Sequence, residues 1–435
     1  MAKGKDHFTR REFLSKSFFG ITAAGLLSIS GKKPTSHIQK ELVQRPEKNI
    51  IYRTLGKTNI HLPIVSMGVM NTLDSAVVKK SYEIGVRHFD TAGEYMRGRN
   101  EEMLGNALKE LNVRDKVIIS TKVFVSLFQR GMSPEEMKKI YLKKAEESLK
   151  RLKTDYIDIL YSHSVYDIKW LNNPGIIEAL HLLKEQKKVR FIGFSTHQNM
   201  AECINEAART GFYDVICTAF NYSMHDDEIL TDSLKNAASK GIGLTAMKTQ
   251  CGGQFLRLEN VPIEKQRYYR KNVLHTAVLK WVLKHDFITT AIPGYTNYQQ
   301  MEEDFSVACD LDYTLEEKKF LQDRNVILAL KGNCQQCSRC VPTCPYGVDI
   351  PTLMRVHMYA LCYSNFSLAR DTLNEIPNGK GLERCISCSQ CEASCANRVD
   401  IASRIDELGK ITAGKKFDRE FIQIRKQRGM PLNHN

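Results

Sequence analysis

Between residues 51 and 308 the hydrophobic positions of the chain follow two alternating patterns. Short runs rich in β-branched and aromatic residues are separated by longer stretches in which apolar residues recur every three or four positions. Eight such runs begin, in chain order, at Ile64, Arg87, Lys116, Tyr156, Arg190, Asp214, Ile242 and Ile288. Eight β/α units within about 260 residues predict an α/β fold, the (β/α)8 or TIM barrel, which we assign to residues 48–315.

Local signals at the ends of the elements support this alternation. Ser133 and Pro134 precede a stretch of helical period, where a serine can cap the first turn and a proline suits the first helical position. The segment IIYRTLGKTNIHLPIV, residues 50–65, predicts a β-hairpin before the first unit. We expect this hairpin to close the bottom of the barrel.

Four side chains with acid, base or charged groups fall at or just after the ends of consecutive predicted strands. Asp90 ends the second strand and Tyr95 follows it, whereas Lys122 ends the third strand and His163 the fourth. Because a TIM barrel carries its chemistry where strands pass into loops, we expect these four to meet at the barrel mouth. There an ammonium would lower the pKa of the phenol, a carboxylate would fix the ammonium, and an imidazole could orient a carbonyl or hydroxyl group. Each residue alone is better explained by a structural role, but the set of four indicates a catalytic site.

Eight of the 13 cysteines form two identical groups near the C-terminus. Each group has the spacing C-x2-C-x2-C-x3-C, and the second repeats the first at an offset of 51 residues. The candidate metal ligands are Cys334, Cys337, Cys340, Cys344, Cys385, Cys388, Cys391 and Cys395. This spacing is typical of iron–sulfur clusters, whereas zinc ribbons use paired C-x2-C motifs, so zinc is the weaker alternative.

The stretch between the two cysteine groups has a helical hydrophobic period. We therefore predict a small, mainly α-helical, ferredoxin-like domain over residues 326–410. The other five cysteines show no pairing pattern and are expected to be buried thiols: Cys203, Cys217, Cys251, Cys309 and Cys362.

The first 33 residues combine a basic front with a 13-residue apolar run from Phe18 to Ser30. Such a run has the length of an export signal and is too short to span a bilayer comfortably. The segment TRREFL, residues 9–14, resembles the twin-arginine motif. We therefore assign residues 1–33 to a twin-arginine signal and expect a periplasmic protein, because that route carries folded proteins and would suit clusters inserted before export.

The chain carries a formal net charge of +14, from 63 Lys and Arg against 49 Asp and Glu. No recognisable nucleic-acid-binding motif accompanies this charge, so we expect no nucleic-acid partner. Acidic redox partners and anionic substrates stay open as partners. Residues 411–435 predict a basic, solvated tail, and contact with a membrane through this tail or through an uncleaved signal is a secondary alternative.

Several segments resemble the aldo-keto reductases over residues 50–310. The matching segments include FDTAGEYMRGRNEEMLGNALK, IISTKV, TDYIDILYSH and VRFIGFSTH. The family fold is the (β/α)8 barrel, and its reaction is hydride exchange between a nicotinamide cofactor and a carbonyl or alcohol. The resemblance implies that Tyr95 is the acid/base, that Lys122 and Asp90 tune it, and that His163 orients the substrate.

The resemblance also implies a nicotinamide site. Its candidate contacts are Ser195, Thr196, Cys217, Met247, Pro293, Gly294, Glu303 and Asp304. Three of them depart from the family, since Thr196 replaces a common Asn, Cys217 a usual Gln, and Met247 an aromatic ring that stacks on the nicotinamide in many members. The last barrel segment lacks the cation that holds a 2′-phosphate, so NADP(H) is less favoured than NAD(H), unless Lys248 or Arg257 supplies that contact.

The cysteine domain resembles a ferredoxin with two [4Fe–4S] clusters. In that arrangement the fourth cysteine of each group binds the cluster of the other group. The resemblance implies one cluster on Cys334, Cys337, Cys340 and Cys395, and a second on Cys385, Cys388, Cys391 and Cys344.

Three functions are compatible with these features. The first is an exported oxidoreductase that interconverts a small carbonyl compound and its alcohol, with a sugar as one candidate, and exchanges electrons with a redox partner protein through its clusters. Against it, a hydride carries two electrons, a cluster normally takes one, and no flavin motif is present to split the pair. The second is the same enzyme with purely structural clusters. The third is a non-catalytic electron carrier or binding protein on a retained barrel, which the altered cofactor contacts favour and the intact set of four opposes.

Overall fold

A computed structural model describes residues 49–125, 129, 131–250, 262–265, 274–331, 334–363, 365–395 and 397–412. The predicted signal segment, Cys251, Arg257 and the tail after residue 412 lie outside these ranges. Residues from 48 onward fall in one compact unit. Among the described residues, no helix combines the length and the apolar character needed to cross a membrane.

The described residues contain the eight predicted barrel strands, preceded by a two-stranded hairpin. In chain order the strands are β1 Tyr52–Thr54, β2 His61–Pro63, β3 Met67–Gly68, β4 His88–Asp90, β5 Ile118–Val123, β6 Ile157–Ser162, β7 Val189–Thr196, β8 Val215–Ala219, β9 Gly243–Met247 and β10 Thr290–Ala291. Strands β3 to β10 form one parallel sheet in sequence order. A parallel bridge between Val65 and Ala291 joins the two edges of this sheet. The predicted (β/α)8 barrel is therefore confirmed.

Helices follow the barrel strands and pack around the sheet. They are α1 Ser75–Ile84, α2 Arg99–Leu111, α3 Pro134–Leu152, α4 Ile168–Leu171, α5 Pro174–Glu185, α6 Met200–Thr210, α7 Glu228–Ser239, α8 His275–Leu283 and α9 Tyr298–Ser306. Helix α3 begins as predicted, because the Ser133 hydroxyl accepts from the Glu136 N–H at 3.3 Å and the Glu136 carboxylate accepts from the Ser133 N–H at 3.0 Å.

The N-terminal hairpin fills the bottom of the barrel, as expected. Strands β1 and β2 pair antiparallel. Leu55 and Leu62 are fully buried and pack in the barrel interior against Tyr161. Gly56 has φ +52°, and a Cβ there would lie 2.4 Å from the Gly243 nitrogen at the start of β9. Only glycine permits so close an approach of the hairpin to the strand.

The C-terminal region is helical, as predicted. Its helices are α10 Leu315–Gln322, α11 Arg324–Lys331, α12 Ile350–His357, α13 Phe366–Leu373 and α14 Ile401–Thr412, and α12 continues into a π-helical turn at Met358–Cys362. Helices α10 and α11 pack on α8. Helices α12 to α14 and the cysteine segments form a second hydrophobic core.

This second core lies over the carboxyl ends of the barrel strands. Met70, which follows β3, packs against it. The Asn365 amide donates to Asn71 at 3.5 Å, and the Gln335 amide donates to the carbonyl of Ser223, which follows β8. Helix α13 contacts the turn that begins at Tyr95. The helical domain therefore covers the barrel mouth, where a TIM barrel performs its chemistry.

Candidate active site

Lys122 and Asp90 form a buried ion pair between β5 and β4. The Lys122 ammonium also donates to the Thr91 carbonyl at 2.8 Å, and Asp90 accepts from the Ser120 hydroxyl at 2.6 Å. Burial works to lower the pKa of Lys122, but attraction from Asp90 and Tyr95 outweighs it, so the pKa lies above its usual value. Lys122 is therefore charged at neutral pH although only 1% of it is exposed.

Tyr95 and His163 lie next to this ion pair. The Lys122 Nζ atom is 5.2 Å from the centroid of the Tyr95 ring. The His163 ring meets Tyr95 edge-on at a centroid distance of 5.9 Å. The structure thus brings together all four side chains singled out at the strand ends, and their catalytic roles stay predictions.

The pKa of Tyr95 differs from the expectation. Burial of the phenol raises its pKa, Lys122 acts in the opposite direction, and Asp90 adds to the increase. The net shift is upward because Asp90 neutralises the nearby ammonium and desolvation penalises the phenolate. Tyr95 therefore holds its proton at neutral pH in this state of the protein.

Backbone strain concentrates beside these side chains. Met96 and Arg97, directly after Tyr95, have φ values of 50° and 57°, and Ser164, directly after His163, has φ 55°. Gly98 follows with φ +86°, and a Cβ there would meet the Arg151 side chain at 2.7 Å. Non-glycine residues seldom adopt positive φ, and such strain tends to cluster at functional sites.

A buried histidine supports the ion pair from beneath. His88 Nε2 lies 2.8 Å from the Ser120 hydroxyl and His88 Nδ1 lies 3.0 Å from the Ser66 hydroxyl. Burial lowers the pKa of His88 to about 4, so its ring is neutral. Because Ser120 donates its proton to Asp90, it must accept from His88, which places the ring proton on Nε2. Sequence reasoning missed His88, although it lies two residues before Asp90 and so on the same face of the strand.

His163 has an unsatisfied polar atom. His163 Nδ1 is 3.9 Å from a Glu94 carboxylate oxygen, and both atoms are buried without a hydrogen-bond partner. Burial lowers the pKa of His163, so the ring is neutral. Lys144 pairs with the other Glu94 oxygen at 3.2 Å. An unpartnered buried nitrogen at the barrel mouth can bind a polar substrate group.

The helical domain adds its own side chains to the mouth. The Lys248 ammonium donates to the Tyr359 hydroxyl at 3.3 Å. Arg355 donates to the His197 ring at 3.4 Å and to Glu375 at 2.6 Å. Tyr359 is 8% exposed, and it lies near enough to Tyr95 to raise the pKa of that phenol. Sequence reasoning missed Tyr359 and Arg355 because nothing local in a helix indicates contact with a strand end more than 100 residues away.

The eight cysteines line two cavities of the helical domain. The first is lined by Cys334, Cys337, Cys340 and Cys395, and the second by Cys385, Cys388, Cys391 and Cys344. The fourth cysteine of each group thus faces the cavity of the other group. Among the described residues, no three His, Cys, Asp or Glu side chains converge closely enough to hold a single metal ion. Four thiols that line one cavity without converging on a single ion fit a [4Fe–4S] cluster better than zinc.

The predicted nicotinamide contacts on the barrel strands are largely engaged within the protein. The Ser195 hydroxyl accepts from the Ser164 N–H at 3.0 Å, and the Thr196 hydroxyl donates to the Gln198 carbonyl at 3.1 Å. Cys217 is fully buried in an apolar cluster that Met247 also packs against, and burial raises the pKa of its thiol to about 12. Among these side chains, the Ser195 hydroxyl has a remaining proton to offer a carboxamide.

The predicted nicotinamide contacts at the end of the barrel differ from one another in exposure and in hydrogen-bond partners. The Pro293 carbonyl accepts from the Gly68 N–H at 2.9 Å and so helps to close the barrel. Gly294 and Glu303 are exposed, whereas Asp304 is buried and accepts from the Gln250 amide. The described segment from Pro293 to Asp304 holds no cationic side chain that could pair with a 2′-phosphate.

Comparison with known proteins identifies both parts of the chain. The family model for the aldo/keto reductase family matches residues 69–320, and the model for a 4Fe-4S dicluster domain matches residues 333–400. The L-glyceraldehyde 3-phosphate reductase of Escherichia coli K12 is 27% identical over 318 residues, which cover 61% of this chain and 90% of the relative. The L-galactose dehydrogenase of Arabidopsis thaliana is 27% identical over 311 residues, covering 63% and 93%.

A solved structure agrees with the barrel. The aldo-keto reductase AKR11C1 from Bacillus halodurans, in its holo form, superposes with a TM-score of 0.51 at 23% sequence identity. The match covers 63% of this chain and 95% of the other. At this identity the likeness supports the fold alone.

Asp304 generates a prediction about pH. Burial raises its pKa to about 8, against about 3.9 for an unfolded aspartate. The folded state therefore keeps a proton that the unfolded state loses, and stability should fall as pH rises from about 4 to about 8. Asp304→Asn keeps an acceptor for Gln250 and removes the ionisation, so the pH dependence of its free energy of unfolding should be shallower. Chemical denaturation across this pH range measures the difference.

The matched control for this prediction is Asp232→Asn, since the Asp232 side chain is 74% exposed. Its stability should follow that of the unaltered protein at every pH. Parallel pH curves for Asp304→Asn and the unaltered protein would contradict the prediction.

Proposed function

Because this chain belongs to the aldo/keto reductase family, we propose that its barrel interconverts a carbonyl and an alcohol while its C-terminal domain carries the electrons on two [4Fe–4S] clusters. The family and the relatives make it an oxidoreductase of CH–OH and C=O groups, and the dicluster domain makes it an iron–sulfur oxidoreductase. One observation carries the catalytic assignment, namely the buried Lys122–Asp90 pair beside Tyr95 and His163.

The proton step of the proposed reaction belongs to Tyr95. When a carbonyl is reduced, the Tyr95 hydroxyl gives its proton to the carbonyl oxygen, and when an alcohol is oxidised the phenolate takes the proton back. The phenolate forms in a buried place where it would be costly, and the Lys122 ammonium stabilises it there. Neutral His163, with its unpartnered Nδ1, would bind the same oxygen or a neighbouring hydroxyl and fix the substrate's orientation.

The electron count of the reaction suits the two parts of the chain. Reduction of one carbonyl takes two electrons and two protons, and two one-electron clusters together match that number. A bound nicotinamide would supply both electrons at once as a hydride. Of the two dinucleotides we propose NAD(H), because the described segment from Pro293 to Asp304 offers no cation for the extra phosphate of NADP(H) and the Lys248 ammonium contacts Tyr359.

The proposed substrate is a small polyhydroxy carbonyl or alcohol. Two relatives are named for L-glyceraldehyde 3-phosphate and L-galactose, which are a sugar phosphate and a sugar. The mouth of this barrel is lined by hydrogen-bonding groups on both sides, from His163 in the barrel to Tyr359 and Arg355 in the domain above it. We propose that a redox partner protein exchanges electrons with the clusters.

A second candidate is an electron carrier that performs no chemistry at the barrel. The observation in its favour is that Ser195 and Thr196 already make hydrogen bonds within the protein and that Cys217 lies in an apolar cluster. The retained Lys122–Asp90 pair argues against it, because a buried ion pair with no function is a cost that apolar residues would avoid.

We propose that the protein is exported by the twin-arginine route to the periplasm. The motif TRREFL lies outside the described residues, so the proposal rests on the sequence alone. Replacing Arg10 and Arg11 together by lysine should abolish export, and cell fractionation with an antibody or tag would show the protein retained in the cytoplasm. Replacing Lys3 and Lys5 by arginine likewise exchanges two basic residues without changing the net charge and should leave export in place. An unchanged periplasmic fraction in the Arg10/Arg11 variant would contradict the proposal.

The cluster proposal predicts the inorganic content of the protein. Purified without air, each chain should contain about eight iron and eight sulfide atoms, since each [4Fe–4S] cluster has four of both. Iron, acid-labile sulfide, zinc and released nucleotide would be assayed on one denatured sample. Two zinc ions without sulfide would contradict the proposal. Stoichiometric NAD(H) would support the nicotinamide part, and iron and sulfide without nucleotide would favour the carrier.

The proposed proton transfer by Tyr95 predicts the effect of removing its hydroxyl oxygen. Tyr95→Phe should lower the turnover rate at least about 100-fold, because a positioned acid/base contributes on that order. The measurement is the substrate-dependent re-oxidation of the chemically reduced protein, followed by visible absorbance with sugars and aldehydes as candidates. Tyr213→Phe is the control, since Tyr213 is equally buried and its hydroxyl binds only the Leu171 carbonyl in the described structure. Undiminished turnover in Tyr95→Phe would exclude the phenol as the acid/base.

A further inference from the structure

Lys248 lies where the barrel meets the helical domain. It follows Met247, the last residue of β9, and its backbone has φ 55°. Its ammonium points into the covering domain, with Nζ 3.3 Å from the Tyr359 hydroxyl and 4.8 Å from the centroid of that ring. A strained backbone that aims a cation at another domain indicates a function for that cation.

Lys248 differs from the other cations of the barrel mouth in its counter-charge. Lys122 is paired with Asp90, and Arg355 is paired with Glu375. Burial is the main cause that lowers the pKa of Lys248, to about 7, and repulsion from Arg355 lowers it further, whereas the thiols of Cys334 and Cys217 act in the opposite direction. A buried ammonium is costly unless a negative charge lies nearby.

Only one of those two thiols can supply the negative charge. Cys217 lies in an apolar cluster and lines neither of the two cysteine-lined cavities, so no cluster would deprotonate its thiol. Cys334 lines a cavity with Cys337, Cys340 and Cys395, and all four would be thiolates when they ligate a cluster. A [4Fe–4S] core with four thiolates carries net negative charge, which makes this site the counter-charge of Lys248.

The same cavity lies on the barrel side of the domain. Gln335, next to Cys334, binds the Ser223 carbonyl of the barrel, and Cys340 is only 8% exposed. The second cavity has a more exposed lining, since Ile386 is 61% and Tyr346 is 37% exposed. One cysteine of each set, Cys337 and Cys388, reaches the surface, and among the described residues Cys334 of the first set affects the pKa of Lys248 at the barrel mouth.

Tyr359 completes the connection to the catalytic tyrosine. It belongs to the π-helical turn Met358–Cys362, in which the Tyr363 N–H donates to the Met358 carbonyl at 3.1 Å. Such single turns occur often at functional sites because they change the direction of side chains in a helix. The hydroxyl of Tyr359 contacts Lys248, and the side chain lies near enough to Tyr95 and Lys122 for their charges to interact.

From these contacts we propose that the site of Cys334, Cys337, Cys340 and Cys395 holds the inner of two clusters and that Lys248 is its counter-cation, joined through Tyr359 to the active site. The site of Cys385, Cys388, Cys391 and Cys344 is then the outer one, which faces the redox partner. The inference rests on the proposed function, because it requires clusters that change charge. When Lys248 is protonated, its positive charge favours the reduced, more negative state of the nearer site, so electrons that arrive at the surface are drawn toward the barrel.

The test is a redox titration of the anaerobically purified full-length protein, followed by EPR. Lys248→Gln removes the charge and should lower the midpoint potential of one cluster signal while the other keeps its value. Lys248→Arg keeps the charge and should keep both midpoints near those of the unaltered protein. Lys240→Gln is the matched control, since Lys240 is exposed near the opposite end of β9 and should move neither midpoint. Cys388→Ser changes a ligand of the outer site, so the EPR signal that it alters belongs to the outer cluster. Lys248→Gln must leave the midpoint potential of that signal unchanged.

The outcomes separate this inference from the function on which it rests. One lowered midpoint in Lys248→Gln, restored in Lys248→Arg, supports the inner position and the role of the ammonium. Unmoved midpoints with full iron content overturn it, and so does an equal shift of both signals. If the unaltered protein holds clusters that cannot be reduced reversibly, the electron-transfer function itself fails and this inference fails with it.

Discussion

A lysine ammonium can lie inside a barrel only if an acid is close to it and the remaining hydrogen bonds are made. The pair of Lys122 and Asp90 meets this condition, and much of the candidate site depends on it. Ser120 donates to Asp90, His88 donates to Ser120, and Ser66 completes the line on the other side of the imidazole. Every member lies at a fixed register of the parallel sheet, so the charge beside Tyr95 is held by the strands rather than by loops.

The helical domain changes the conditions under which this pair acts. It covers the carboxyl ends of the strands and removes them from water, which strengthens every charge interaction below it. The upward shift in the pKa of Tyr95 is one result, since burial outweighs the ammonium in this state of the protein. The proton therefore stays on the phenol until an acceptor is bound, which suits an acid that should act on a substrate and not on solvent.

Much of this arrangement is predictable from sequence, for reasons that also explain what is not. Periodicity located the eight barrel strands, and the fixed geometry of a parallel barrel then brought Asp90, Lys122 and His163 together from positions far apart in the chain. The resemblance of the repeated cysteine motif to two-cluster ferredoxins likewise anticipated which four cysteines share each cavity. Contacts between domains have no such rule. Nothing in the sequence around Tyr359 or Arg355 indicates which strand end they meet, because docking depends on the shapes of both surfaces. The predicted direction of the Tyr95 pKa shift was wrong for a related reason. The sequence around Tyr95 does not show that a second domain will bury this residue.

The covering domain and the altered cofactor contacts both affect the same region of the protein, the mouth of the barrel. Lys248 follows β9, immediately after Met247, and in this structure it contacts a phenol of the cluster domain. Cys217, on the neighbouring strand, lies in an apolar cluster and offers a neutral thiol in place of an amide. A barrel that received its electrons only from a dissociable dinucleotide would need an open mouth and polar groups at both positions. Here the mouth is covered by a domain with two cysteine-lined cavities, and Lys248 at the strand end contacts Tyr359 of that domain. The covered mouth and the altered cofactor contacts support the proposal that electrons reach the buried Tyr95 site through the protein, with any nicotinamide retained beneath the cover rather than exchanged at each turnover.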